Sequence, residues 1–395
     1  MANLKTTGKK SKAQSMGMHT EVLTGRTQQK FFNPDEAENF LQQLLGEIDD
    51  TTDLLVIVIV NAPKDEAQKN YDFAPTQRTR KLLAALQVQS LATALPFGMI
   101  IIDRVSTGRE IPFKQGVGLA RKVASDVALA LHQQGRVISP WIYQTDADAR
   151  LPHDYFTTPL PQRGCAIFPH RHVSEDPEVS AAARLYDLHM RYFVAALKRH
   201  GSNYAHPSLG STLSIHAQDY ASVRGYPKRS AGEDFHILNK LSKVTPLTQL
   251  TTPYIDVQAR TSARVPFGTG PALTKIIQVL DQDPSGSSYL SYNYASFKLL
   301  AQSLAEIAAT CQDTQAGKAE FSPRIRQILD ELGLQRILPQ LKNTSAATKQ
   351  RQRVADEWMD ALKTLRFIHL ARRFHPDKSL LETLHGEAQE LQLLD

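Results

Sequence analysis

The chain has 395 residues, 42% of them hydrophobic and 22% charged, with a formal net charge of +6, which is enough for one large domain plus an addition or for two domains. Its longest uninterrupted apolar run, Leu54 to Val60, has seven residues, far below the roughly 20 that a membrane-spanning helix requires. Two cysteines, Cys165 and Cys311, exclude a disulfide framework and a cysteine-based zinc site; the first residues lack the apolar core of a secretory signal, so a reducing cytoplasm is the expected home.

The positive charge is unevenly placed. Residues 1–30 hold Lys5, Lys9, Lys10, Lys12, Arg26 and Lys30 against Glu21 alone, so the rest of the chain is near neutral. A nucleic-acid binder of this size is expected to carry its basic face on the folded body. Residues 1–30 therefore read as a basic, solvated tail, and no nucleic-acid partner is expected.

In chain order, Asp35 to Leu45 has helical apolar spacing behind an acidic first turn, which suits the positive end of a helix dipole. Leu54-Leu-Val-Ile-Val-Ile-Val is β-branched and apolar on both faces, the pattern of a buried parallel strand. Thr79 to Ala94 reads as helix, Met99 to Asp103 as a second buried strand, Lys122 to His132 as helix and Val137 to Gln144 as a third strand. Such alternation predicts an α/β fold with a mostly parallel sheet flanked by helices. Ligands then belong at the strands' carboxyl ends, where Asn61, Asp103 and Asp146 fall. Residues 178–200 read as an amphipathic helix, and residues 271–395 as a helical C-terminal extension without a clear strand.

Three segments can carry chemistry. In Ile142-Tyr-Gln-Thr-Asp-Ala-Asp, a strand runs into Asp146 and Asp148, and period-two alternation puts both carboxylates on one side. Hard oxygen donors suit Mg²⁺ or Mn²⁺; the alternative is a turn with capping aspartates. A second D-x-D, Asp281 to Asp283, precedes Pro-Ser-Gly and reads as a solvated loop. Glu233 and Asp234 open a helical stretch, either as first-turn acids or as a general base. Gly116 and Gly118 also open a helix, a favourable place for an anion, but Arg121 stands where a dinucleotide fingerprint needs a small residue. Arg121 either meets a diphosphate or lies on the helix's wet face.

Together these segments resemble family 2 glycosyltransferases of the GT-A nucleotide-sugar fold, from about Asn33 to Gly270. Gly116 to Arg121 is similar to the family's glycine-rich helix start, Asp146 to Asp148 to its D-x-D, and Glu233-Asp234 to its E-D base motif, with 86 residues between Asp148 and Asp234. The resemblance implies a GT-A-like domain over residues 31–270 that moves a sugar from a nucleotide-diphosphate donor to an acceptor hydroxyl, with inversion and with Mn²⁺ or Mg²⁺ as cofactor. It implies Asp148 as principal metal ligand, Asp146 as a contact to nucleotide and metal, Asp234 as base and Glu233 as its understudy. Asn61 and Asp103 fall where the family reads base and ribose, and Gly118 and Arg121 where it meets the diphosphate. The family's first strand ends in a P-x-Y-N-E loop. Here Phe32-Asn-Pro-Asp-Glu follows a polar stretch poor in strand character, with Asp35 and Glu36 in that loop's role.

The alternatives are a non-catalytic nucleotide-sugar-binding scaffold of the same fold and a sugar nucleotidyltransferase, whose N-terminal glycine- and arginine-rich phosphate loop is absent. His375-Pro-Asp-Lys resembles the H-P-D signature of J-domain cochaperones, yet only 17 residues follow Lys378, and the tripeptide reads as a helix interruption. His170, His172, His206, His216 and His236 are all candidates for an extra metal ligand.

Overall fold

The computed structural model describes residues 19–25 as backbone and residues 54–61, 97–106, 108–112, 114–262, 268–313 and 320–391, residues 388–390 as backbone alone. The expected helices at 35–45 and 79–94, and the candidates Asp35 and Glu36, lie outside the described residues.

The centre is a seven-stranded mixed sheet in the order β3-β2-β1-β4-β8-β6-β9. Its strands are β1 (His19–Gly25), β2 (Leu54–Asn61), β3 (Gly98–Arg104), β4 (Trp141–Asp146), β6 (Cys165–Ile167), β8 (Leu213–His216) and β9 (Leu247–Gln249). Strands β3, β2, β1 and β4 pair in parallel, β8 runs against both of its neighbours, and β9 is again parallel to β6. A second sheet joins β5 (Ala149–Arg150), β10 (Ile255–Gln258) and β7 (His170–Val173), with β10 in the middle.

Strand β2 shows why the sheet is buried on both sides. Alternate residues face opposite layers: Val56, Val58 and Val60 pack with Trp141, Tyr143 and Phe168, whereas Ile57 and Ile59 pack with Ala120, Ala124 and Ala128. Those alanines, at i, i+4 and i+8 of α1 (Gly116–Gln133), form a smooth face that lets the helix lie close to the sheet. Among the described residues the opposite face is covered by the second sheet and by an aromatic group rather than by helix. Tyr155 lies 5.2 Å from Tyr143, 4.9 Å from Phe156 and 4.7 Å from Phe168 between ring centroids.

Helix α2 (Pro177–Arg199) links two cores. Asp176 caps it, accepting from the backbone N–H groups of Glu178 and Val179 and so satisfying two otherwise unpaired donors. Its first half packs Ala182 and Ala183 against Leu273 and Ile276 of α5 (Thr269–Gln282). Its second half packs Tyr192, Ala196 and Leu197 into the core of the C-terminal helices, with Phe297, Leu300, Ile325, Ile328, Phe367 and Ile368. Between α2 and α5 lie the short α3 (Ala217–Ser222) and α4 (Glu233–Leu241). No helix among the described residues is long and apolar enough to cross a membrane.

Three expectations are corrected. Residues 19–25, read as tail, form β1, a central strand bonded to β2 on one side and β4 on the other. The third strand begins at Trp141 rather than Val137, because Pro140 has no N–H to give to a ladder. The C-terminal region contains one small sheet, β11 (Leu290–Ser291) against β12 (Lys378–Ser379).

Candidate functional site

The parallel strands bring the polar residues at their ends to one edge. Asn61 is in register with Arg104, Val60 with Asp103 and Gly25, and Thr24 with Asp146. Asn61, Asp103 and Asp146 thus stand along the carboxyl edge of the parallel strands β2, β3 and β4, the usual ligand position in such a sheet. Asn61 is buried, and among the described residues its side-chain oxygen has no hydrogen-bond partner. Asp103 Oδ1 accepts from the N–H groups of Val105 and Ser106, both at 2.9 Å, and Oδ2 lies 3.4 Å from Arg109. Burial opposes its charge, but these hydrogen bonds and the Arg109 guanidinium outweigh burial and lower its pKa. Asp103 therefore shapes the turn after β3 with one of its oxygens.

The decisive residue is Arg121, on α1. It is 0% exposed; its Nε donates to Glu233 Oε1 at 3.0 Å and its Nη2 to Asp146 Oδ1 at 2.7 Å. One guanidinium thus ties the end of β4 to the start of α4, and Asp234 is near enough for its charge to act on Arg121. Burial alone opposes the cation, but Asp146 and Glu233 reverse that and raise its pKa. Residues of the three motifs, Arg121, Asp146 and Glu233, are thus joined in one cluster. The role expected of Arg121 itself is corrected: enclosed and bonded to two carboxylates, it presents no exposed surface to solvent or to a ligand. Gly210 makes room for it, since a Cβ there would stand 2.6 Å from Nη2.

The expectation for Gly118 is corrected too. Its N–H donates to the carbonyl of Arg229 at 2.8 Å, so it is not presented to an anion. A Cβ at Gly118 would come within 2.7 Å of both the N and O of Arg229. The glycine thus serves the close passage of the 227–230 loop over the helix start, the loop that leads into Glu233. Gly118→Ala is expected to destabilise the fold by about 1–3 kcal/mol, the usual cost of overpacking; a shift in the urea unfolding midpoint checks it.

Helix α4 starts after Gly232, a left-handed residue at φ 70°. Glu233 is buried, whereas Asp234 is half-buried, and Asp234 Oδ1 accepts from the N–H of Phe235 at 2.7 Å. Both are first-turn acids, which the helix dipole favours. Their surroundings differ: Glu233 bonds Arg121, both charges reach Tyr226, and that of Asp234 reaches Tyr186 as well.

Asp148 is the more open of the D-x-D pair, its side chain 17% exposed, and its Oδ2 accepts from Arg260 Nη2 at 2.8 Å. Its carbonyl accepts from the N–H of Gln258, which fixes the turn against β10. The pairing of Arg260 with Asp148, 112 positions apart, has no signal in the sequence. The second D-x-D is a loop only at its last residue: Asp281 and Gln282 close α5, and Asp283 beyond them takes hydrogen bonds from Ser285 and Ser288, which lower its pKa to about 2. Likewise Asp377 of the H-P-D tripeptide pairs with Arg372 and the Pro376 carbonyl accepts from Asn293, so the segment joins helices.

Of the five candidate histidines, His206 is buried, His216 caps α3 through Gln218, and His236 meets Arg229 at 2.6 Å. His170 and His172 stand together, with Asp187 of α2. That group was not singled out by sequence, although alternation on a strand puts residues two apart on one face.

At the level of sequence no protein-family model matches the chain, and no curated protein matches it. Among solved structures, the mannosyltransferase PcManGT from Pyrobaculum calidifontis, in complex with GDP-Man and Mn²⁺, aligns over 88% of this chain and 86% of its own at 14% identity and a TM-score of 0.35. TarS from S. aureus aligns over 87% of this chain and 55% of its own at 13% identity and a TM-score of 0.34. At such scores the likeness transfers neither residue nor role, and the meaning of the site rests on its own side chains.

Proposed function

We propose that the protein is a GT-A-like glycosyltransferase that moves a sugar from a nucleotide-diphosphate donor to an acceptor hydroxyl with inversion. The observation that carries the reading is the Arg121 bridge, which gathers Asp146, Glu233 and, beside it, Asp234 at the carboxyl edge of the sheet. In this reading Asn61 and Asp103 border the nucleotide, Asp148 faces its diphosphate, and Asp234 takes the proton of the attacking hydroxyl. The hydroxyl oxygen bonds to the anomeric carbon as the bond from that carbon to the diphosphate oxygen breaks, and the nucleoside diphosphate departs with the electron pair.

A divalent ion fits the donor set in a limited way. Asp146 spends one oxygen on Arg121, which leaves Asp148, more exposed and held only by a partly exposed arginine, as the principal carboxylate ligand. Mg²⁺ and Mn²⁺ are commonly held by one or two carboxylates together with phosphate oxygens and water. Such an ion, when bound, would neutralise charge developing on the leaving diphosphate. Asp146 then acts mainly by fixing the turn that presents Asp148.

Asp148→Ala is expected to abolish the Mn²⁺-dependent part of nucleoside diphosphate binding, read by calorimetry across UDP and GDP with and without the ion. Equal affinity in wild type and variant removes the metal role of Asp148. The Arg260 contact favours a second reading, in which the arginine meets the diphosphate and the protein binds a nucleotide sugar without transferring it. Chelator-insensitive binding without turnover would select that reading.

A further inference from the structure

We propose that His170, His172 and Asp187 form a binding site for one divalent transition-metal ion of the Zn²⁺ class, separate from the carboxylates at Asp146 and Asp148. One ligand atom from each of the three lies within 4.8 Å of the other two. Four-coordinate zinc with nitrogen and oxygen ligands near 2.0–2.1 Å spaces its ligand atoms about 3.3 Å apart, so small side-chain rotations suffice to close the set.

The elements hold these groups firmly. His170 and His172 project from one face of β7, in register with Ile255 and Val257 of β10. Asp187 comes from the buried side of α2, in a helix whose neighbouring residues Ala183 and Leu185 are core. A carboxylate in that place needs a partner, and it has one: its Oδ1 lies 2.6 Å from His172 Nδ1 and its Oδ2 accepts from the His172 N–H at 2.9 Å.

His170 points to more than a hydrogen-bonded pair. Among the described residues its ring makes no hydrogen bond, yet it stands edge-on to His172 with centroids 5.5 Å apart. An imidazole nitrogen that no protein group engages there is free to ligate a metal ion. His172 Nε2 lies 3.2 Å from Thr269 Oγ1. Without an ion His172 Nδ1 donates to Asp187; on metal binding that proton would leave and the tautomer that donates from Nε2 to Thr269 would give the Nδ1 lone pair to the ion, the kind of outer hydrogen bond that orients ligating histidines. Two imidazoles and one carboxylate suit Zn²⁺, Co²⁺ or Fe²⁺ better than Mg²⁺ or Ca²⁺. Three protein ligands leave a position for water.

The test uses the full chain, stripped with a chelator and reloaded with Zn²⁺, in wild type, Asp148→Ala and His170→Gln. Bound metal is counted by mass spectrometry and affinity is read by competition with a chromophoric chelator. One Zn²⁺ per chain is expected in wild type and in Asp148→Ala. In His170→Gln the affinity falls about 100-fold or more, while the metal-free melting curve is unchanged because that ring holds no hydrogen bond in the fold. Co²⁺ loading should give visible bands of nitrogen-ligated cobalt that vanish in His170→Gln. Absence of retained zinc, its loss in Asp148→Ala, or equal affinity in His170→Gln overturns the proposal and leaves Asp187 as the tie between β7 and α2. None of these readouts depends on nucleotide or sugar transfer, so the failure of either reading is seen independently of the other.

Discussion

Arg121→Met is expected to cost about 3–5 kcal/mol of folding stability, the typical penalty for breaking a buried ion pair from one side. The side chain is 0% exposed, and its removal leaves Asp146 and Glu233, at 5% and 1% exposure, without their shared cation. A hydrophobic residue of similar length fills the space but cannot meet either carboxylate. Arg121→Lys keeps the charge but not the fork that addresses two acceptors at once, and an intermediate loss is expected. Adding Asp146→Asn and Glu233→Gln to Arg121→Met should recover part of the stability, because the buried charges go with their partner. Urea unfolding of the series measures the coupling as a mutant cycle. A loss below about 1 kcal/mol for Arg121→Met, the range of an exposed pair, would deny Arg121 its part in holding the site together.

The same residue marks the limit of what the sequence discloses. Strand β2 was plain because seven apolar residues in a row admit few other fates, and the body of α1 was read as helix over Lys122 to His132. Strand β1 was missed because His19-Thr-Glu-Val-Leu-Thr-Gly has polar residues on both alternations; its place in the sheet comes from pairing with β2 and β4, which no local pattern announces. The acids of the site were found by type and order. Their partner was misread because an arginine three residues past Gly118, in a glycine-bearing helix start, looks like a phosphate contact. Only the carboxylates 25 and 112 positions further on account for its burial. Asp187 was missed for the converse reason: an acid among apolar residues on a helix reads as a gap in the pattern until the strand that answers it is known.

Asp234→Asn is expected to leave nucleotide binding intact and to lower sugar transfer by about 10²–10⁴-fold, the usual contribution of a positioned general base. The substitution keeps the shape of the side chain and the oxygen that accepts from the Phe235 N–H, so the first turn of α4 should survive. What goes is the negative charge that receives a proton, in a half-buried carboxylate close to Tyr186, Tyr226 and Arg121. Glu233→Gln is the control, for it removes a charge one residue away whose work is to pair with Arg121. That variant should lose stability before it loses turnover per folded molecule, whereas Asp234→Asn should do the reverse. Turnover with a nucleotide-sugar donor, corrected for the folded fraction, separates the two; an undiminished rate in Asp234→Asn would move the base elsewhere and leave the pair as two first-turn acids, one of them a buttress.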